Sequence, residues 1–213
     1  SAEGQCMFWN NSCDAFCVYS TTNEDAYRLR VFNETNKTLM REQTLSFSPS
    51  LAGAGSLEHI FLVQRPTNTA NETMLVANNL GGLDNGILLS LIQKTGSSYS
   101  PIFNYSIMSN LTNAFQNFTI NTGDGIAVGF DWIPNGTYGL FVTSNRTSIN
   151  SGNITTGRYN RDLNQIDLIS FDSLDGLNTD YEDVIVKHIP GNNNRMVYIA
   201  QSSESFISVN VVD

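Results

Sequence analysis

Charged residues make up only 15% of this 213-residue chain, and its 11 Lys and Arg are outnumbered by 20 acids for a net charge of -9. The cations are scattered, and no run of them exists. Such a chain is not built to neutralise phosphates, which excludes nucleic acid and anionic membrane surfaces as partners. Long hydrophobic runs are missing too. The longest is GILLSLI, beginning at Gly86, far short of the roughly 20 apolar residues of a bilayer-spanning helix, so membrane insertion is not expected. There are five prolines and no Pro-rich linker. With only His59 and His188, and three cysteines whose C-x6-C-x3-C spacing fits no zinc motif, a structural zinc site is not expected. The motifs H-E-x-x-H, G-x-S-x-G and the P-loop are absent as well.

What the chain does have is alternation. Hydrophobic residues form 40% of it, enough for a core. They recur with period two in short runs such as AYRLRVF, LEHIFLVQR, TMLVA, GILLSLIQ, PIFNYSI, GIAVGFDW, GTYGLFVT, DVIVKHI, MVYIAQ and FISVNVV, separated by Gly, Asn, Ser and Pro. Many short strands and no sustained helical stripe predict an all-β fold, a jelly-roll-like β-sandwich with mostly antiparallel strands. No internal repeat stands out, so residues 1–213 are read as one domain. Its ends, the Cys-containing segment 1–20 and the strands of 196–212, are candidate assembly arms.

The opening Ser1-Ala2-Glu3, without Met, reads as a mature form after removal of a signal peptide, and predicts a secreted protein. Ten Asn-x-Ser/Thr sequons agree: Asn10, Asn33, Asn36, Asn71, Asn104, Asn110, Asn117, Asn135, Asn145 and Asn153. With 26 Asn in the chain and Ser or Thr at roughly a fifth of positions, chance supplies about five, and use of a sequon needs a secretory route. A fortuitous excess in an Asn-, Ser- and Thr-rich chain is the plain alternative. Cys6, Cys13 and Cys17 lie close together, and their odd number predicts one local disulfide and one spare thiol, with the pairing open.

Six acids crowd the segment around SFDSLDGLNTDYEDVIVKH: Asp167, Asp172, Asp175, Asp180, Glu182 and Asp183. Carboxylates this close repel one another unless a cation, a basic partner or solvent relieves them. A calcium ion takes six to eight oxygens from a loop of this kind, although the EF-hand frame is missing. A solvated acidic loop is the plain alternative.

The same segment resembles the hallmark of domain-of-unknown-function family 4114, a β-rich domain of secreted, adhesin-like, calcium-associated proteins. That hallmark runs F-E-D-L, a short Gly-rich spacer, then D-x-D-[YF]-N-D-[VL]. Here Phe171-Asp172-Ser173-Leu174 is followed by Asp175-Gly176-Leu177 and then Asn178-Thr179-Asp180-Tyr181-Glu182-Asp183-Val184. NTGDGIAVGFDW, GTYGLFVTS and YNRDLNQIDL are similar to the family's upstream elements, so the resemblance spans 123–189. It implies a Ca2+ site held by Asp172, Asn178, Asp180 and Asp183, with Tyr181 packed inward. Glu182 either joins the ion or faces solvent. The sequence departs from the hallmark at Asp172, Asn178 and Glu182, and each departure keeps an oxygen.

Catalytic candidates are thin. His59 beside Glu58 sits within an apolar strand and has no identifiable nucleophile, and His188 is better suited to charge balance. A glycosidase carboxylate pair among Asp124, Asp131 and the acid cluster is not singled out by anything. Trp9, Trp132, Tyr138 and Phe141 could line a sugar-binding face, but aromatics of a β-sandwich are mostly core. The reading is therefore non-enzymatic: an extracellular structural glycoprotein with structural calcium, on a cell surface or in a released fibril. It would form a head-to-tail homopolymer by strand addition. The alternative is a monomeric calcium-dependent carbohydrate-binding or adhesin module with glycans as partners.

Overall fold

The protein is described from a computed structural model covering residues 4–9, 14–20, 26–33, 35–46, 57–66, 71–79, 86–108, 127–148, 151–175, 181–191, 195–202 and 207–212. It is all-β. The strands are β1 (Gly4–Phe8), β2 (Asp14–Ser20), β3 (Ala26–Asn33), β4 (Leu39–Ser46), β5 (Leu57–Gln64), β6 (Glu72–Asn79), β7 (Gly86–Thr95) and β8 (Ser98–Met108), followed by β9 (Ala127–Trp132), β10 (Tyr138–Ser148), β11 (Ser151–Asn160), β12 (Gln165–Asp175), β13 (Tyr181–His188), β14 (Met196–Ser202) and β15 (Ile207–Val212).

They form four antiparallel sheets in strict chain order: β1-β2-β3-β4, β5-β6-β7-β8, β9-β10-β11-β12 and β13-β14-β15. The all-β, antiparallel expectation holds. Among the described residues none of the four sheets contains the crossover of a Greek key, which a jelly roll is built from. Each is an up-and-down meander, the kind of sheet that β-propellers repeat as blades.

Where the sequence reading takes one domain, the chain contacts divide into two compact units, residues 1–108 and 109–213. Within the first, two sheets meet face to face. Leu29 and Val31 of β3, with Trp9 just after β1, pack on Ile60, Leu75, Ala77, Leu88, Ile92 and Tyr99 of the β5–β8 sheet. β6 and β7 are buried on both faces, as Met74 to Ala77 and Leu88, Leu89, Leu91 and Ile92 show, which is why GILLSLI is apolar at successive positions and interrupted only by Ser90. The β7–β8 hairpin closes through Gly96-Ser97 between the paired Thr95 and Ser98. Gly96 takes φ 61°, a conformation a two-residue hairpin needs and glycine accepts at no steric cost.

The second unit repeats the two-layer plan. Leu140 and Val142 of β10, with Ile133, pack on Val184 and Val186 of β13 and Met196 and Tyr198 of β14. The opposite face of β9–β12 is aromatic. Phe130, Trp132 and Tyr159 follow one another edge to face, at centroid separations of 5.2 and 6.0 Å. Phe141 lies directly opposite Gly157, and its ring fills the space a side chain would take there. The two segments expected as assembly arms are paired inside their own units: β1 and β2 within the first sheet, β14 and β15 beside β13.

Candidate functional site

The acidic segment does not form one loop. Asp172 and Asp175 lie in β12, opposite Ile154 and Ser151 of β11, and Asp183 lies in β13, opposite Gln201 of β14. Asn178 and Asp180 fall outside the described residues, as do the side chains of Asp172 and Asp183. Among the described residues no group of three or more His, Cys, Asp or Glu converges as a metal site. Asp167 is tied up locally, 3.5 Å from Arg158 and accepting from Gln165 Nε2 at 3.1 Å.

Asp131 has a structural task. Its Oδ1 accepts from its neighbour's backbone, Trp132 N, at 3.0 Å, and its Oδ2 accepts from His188 N at 2.9 Å. Both oxygens of this carboxylate are thereby engaged by backbone. Asp124 and the side chain of His59 lie outside the described residues. Of the aromatics weighed as a sugar platform, Trp9, Trp132 and Phe141 are buried. Tyr138 is half-buried, with the Arg158 guanidinium 4.6 Å from its ring centroid.

Cys6 and Cys17 form a disulfide. They stand directly opposite one another across β1 and β2, so the antiparallel register itself brings the sulfurs together. Cys13 lies outside the described residues.

Five sequon asparagines can be placed. Asn36, Asn71 and Asn135 are exposed, and Asn33 and Asn104 are half-buried. Three sit in turns where the Asn Oδ1 accepts the backbone N–H of its own sequon threonine: Asn33 from Thr35 at 2.9 Å, Asn36 from Thr38 at 3.2 Å, and Asn135 from Thr137 at 2.9 Å. This leaves the amide nitrogen, the atom that carries a glycan, directed away from the turn bond. Asn104 differs, because its Oδ1 accepts from the hydroxyl of Ser90 across the β7–β8 ladder at 2.6 Å. Asn10, Asn110 and Asn117 lie outside the described residues. Asn145 and Asn153 are cross-strand partners in β10 and β11.

The sequence reading missed a cleft. It opens between β4 and the β7–β8 hairpin, has a volume of about 460 Å3 and is lined by Val31, Met40, Arg41, Lys94, Gly96, Ser97 and Tyr99. A register shift opposite Val31 and Phe32 makes Met40 the extra residue of β4, and a bulge of this kind re-aims the side chains around it. Lys94 Nζ lies 5.7 Å from the Tyr99 ring centroid, while Gln43 Nε2 donates to Tyr99 O at 2.7 Å and braces the floor. Two of the 11 cations of a net acidic chain thus share one cleft. No linear motif marks it, because its walls come from strands more than fifty residues apart.

The fold and these sites define an all-β protein of face-packed antiparallel meanders with a surface disulfide. No family model matches the chain, and no curated protein matches it. Among solved structures it is similar to NanB, in a structure with Optactamide, with a TM-score of 0.55 at 13% identity. That match takes in 94% of this chain but only 28% of the NanB chain. It is also similar to a protein described as a 6-phosphogluconolactonase from Bacteroides uniformis, with a TM-score of 0.35 at 11% identity, covering 98% of this chain and 70% of that one. The likeness to NanB is one of fold alone, and no activity follows from it.

Proposed function

We propose that this protein is a non-enzymatic, extracellular structural glycoprotein that assembles head-to-tail with copies of itself by strand addition. The observation that carries the reading is the β13-β14-β15 sheet. Among the described residues it has three strands where each of the other sheets has four, and β15 is bonded on one side only. An unpaired strand edge offers a row of N–H and C=O groups to another strand. The outer face of the same sheet is apolar: Ile185 is 51% exposed and its cross-strand partner Ile199 is 38% exposed. Pairing of β15 with an outer strand of a neighbouring copy joins unlike surfaces, so the contact propagates.

The cross-strand disulfide and the exposed sequons favour an oxidising, secretory setting. Calcium, held by Asp172, Asn178, Asp180 and Asp183, belongs to this proposal as the ion that relieves the acids of β12, of β13 and of the residues that join them. A second reading, a calcium-dependent carbohydrate-binding module, is favoured by the cleft, whose Arg41 and Lys94 suit an acidic sugar.

The test is negative-stain microscopy and light scattering of the glycosylated protein with calcium present, beside a variant lacking residues 203–213. Polymer that disappears with the deletion supports assembly. A full-length protein that stays monomeric at high concentration ends the fibril reading, and binding of acidic glycans on an array then favours the second.

A further inference from the structure

Four residues with aliphatic hydroxyls are buried among the described residues: Thr73, Ser90, Thr143 and Thr156. Only the Thr73 hydroxyl is sealed from solvent without a hydrogen-bond partner. Thr73 is 0% exposed. It stands in β6 between Gln64 of β5 and Ile92 of β7. It alternates with Leu75 and Ala77, so it faces the apolar core those residues share with Ile92 and Tyr99. A polar group buried without a partner keeps its full desolvation penalty. Valine has nearly the same shape and β-propensity and would carry no such penalty. The folded state therefore gives no reason for a threonine here.

The reason lies two residues upstream. Thr73 is the third residue of the sequon Asn71-Glu72-Thr73, and it is the only one of the four buried hydroxyls in that position. Asn71 is exposed. Its carbonyl accepts from Lys94 N at 2.7 Å, which anchors the backbone where β6 begins. Glu72, between them, is buried and paired with Arg65 at 2.8 Å. The sequon thus straddles the surface, with its asparagine outside and its hydroxyl in the core.

We infer that Asn71 carries an N-linked glycan, attached before β6 is sealed into its sheet, and that this modification holds a threonine at a core position that packing alone would give to valine. The inference rests on the secretory reading above. In the transfer, Asn71 Nδ2 forms a bond to the anomeric carbon of a saccharide carried on a lipid pyrophosphate. The bond from that carbon to the pyrophosphate oxygen breaks, the lipid pyrophosphate leaves with the bonding electrons, and the amide gives up one proton to a base of the transferase. The Thr73 hydroxyl is part of what the transferase recognises in the extended chain. Once β6 is paired on both sides, that hydroxyl is out of reach.

The experiment uses the full chain secreted from an N-glycosylating eukaryotic host, with glycopeptide mapping, intact mass and thermal melts. Asn71→Gln and Thr73→Val should each remove the same single glycan, and Thr73→Ser should keep it. The hydroxyl is assayed separately by comparing Asn71→Gln with the double variant Asn71→Gln/Thr73→Val, since both lack that glycan. The double variant should melt higher, by roughly 2–8 °C. An Asn71 found bare while other sequons carry glycans overturns the inference and leaves the secretory reading standing, whereas a chain bare at every sequon overturns both. A double variant that melts lower shows that the hydroxyl serves the fold, and also overturns the inference.

Discussion

The carboxylate of Asp131 on β9 accepts the backbone N–H of His188, the last residue of β13, across 57 positions of sequence at 2.9 Å. This ties the first strand of one sheet to the first strand of the next. The first unit makes the same connection with a different residue, where the side-chain oxygen of Gln5 on β1 accepts the N–H of Leu62 on β5. Replacing Asp131 by Ala leaves the His188 amide without its partner and should cost about 1–3 kcal/mol. Asn keeps an acceptor oxygen and should cost less. Denaturant melts of the two variants check the order, and equal stability of Asp131→Ala and the parent would count against the tie.

Gly157 is a second point of tension. A Cβ there would come 2.1 Å from Cζ of Phe141, a ring that is itself fully buried. The ring cannot retreat within a close-packed face, so Gly157→Ala should destabilise by about 1–3 kcal/mol. Pairing it with Phe141→Leu frees the space and should recover part of the loss. A neutral Gly157→Ala would refute the packing account.

Opening the Cys6–Cys17 disulfide, with its sequence separation of 11, should cost about 2–4 kcal/mol, because the bridge restricts the unfolded chain. A Cys6→Ser/Cys17→Ser variant is compared with the parent without reductant. If the two melt together, the bridge does not constrain the unfolded ensemble.

Tyr105 supplies a pH dependence. Burial raises its phenol above the ordinary value of 10.0, because desolvation disfavours the phenolate. In the unfolded chain it ionises near the ordinary value, so above that pH the native state holds more protons than the unfolded one. The contribution of Tyr105 is thus complete below pH 10 and is lost as pH rises toward its folded value. Tyr105→Phe has no phenol to ionise, and its stability should fall less steeply above pH 10. Parallel alkaline unfolding curves would refute the assignment.

Period-two alternation is a local property, so strands such as β3, β5, β7 and β13 could be read from the residues alone. β11 could not, since SGNITTGRYN has no apolar alternation and owes its place to β10 and β12 on either side, with Gly157 lying flat beneath Phe141. β12 was hidden by its charge. Asp167, Asp172 and Asp175 look like a loop until the ladder with β11 places them in a strand. The sequence by itself determined the all-β class and the positions of the ten sequons, because both depend on neighbours a few residues apart. Only the tertiary structure decided which cysteines pair, that Arg41 and Lys94 share a cleft, and that the Thr73 hydroxyl is buried without a partner. Each of those depends on strand register and sheet stacking, which bring together residues that no local pattern connects.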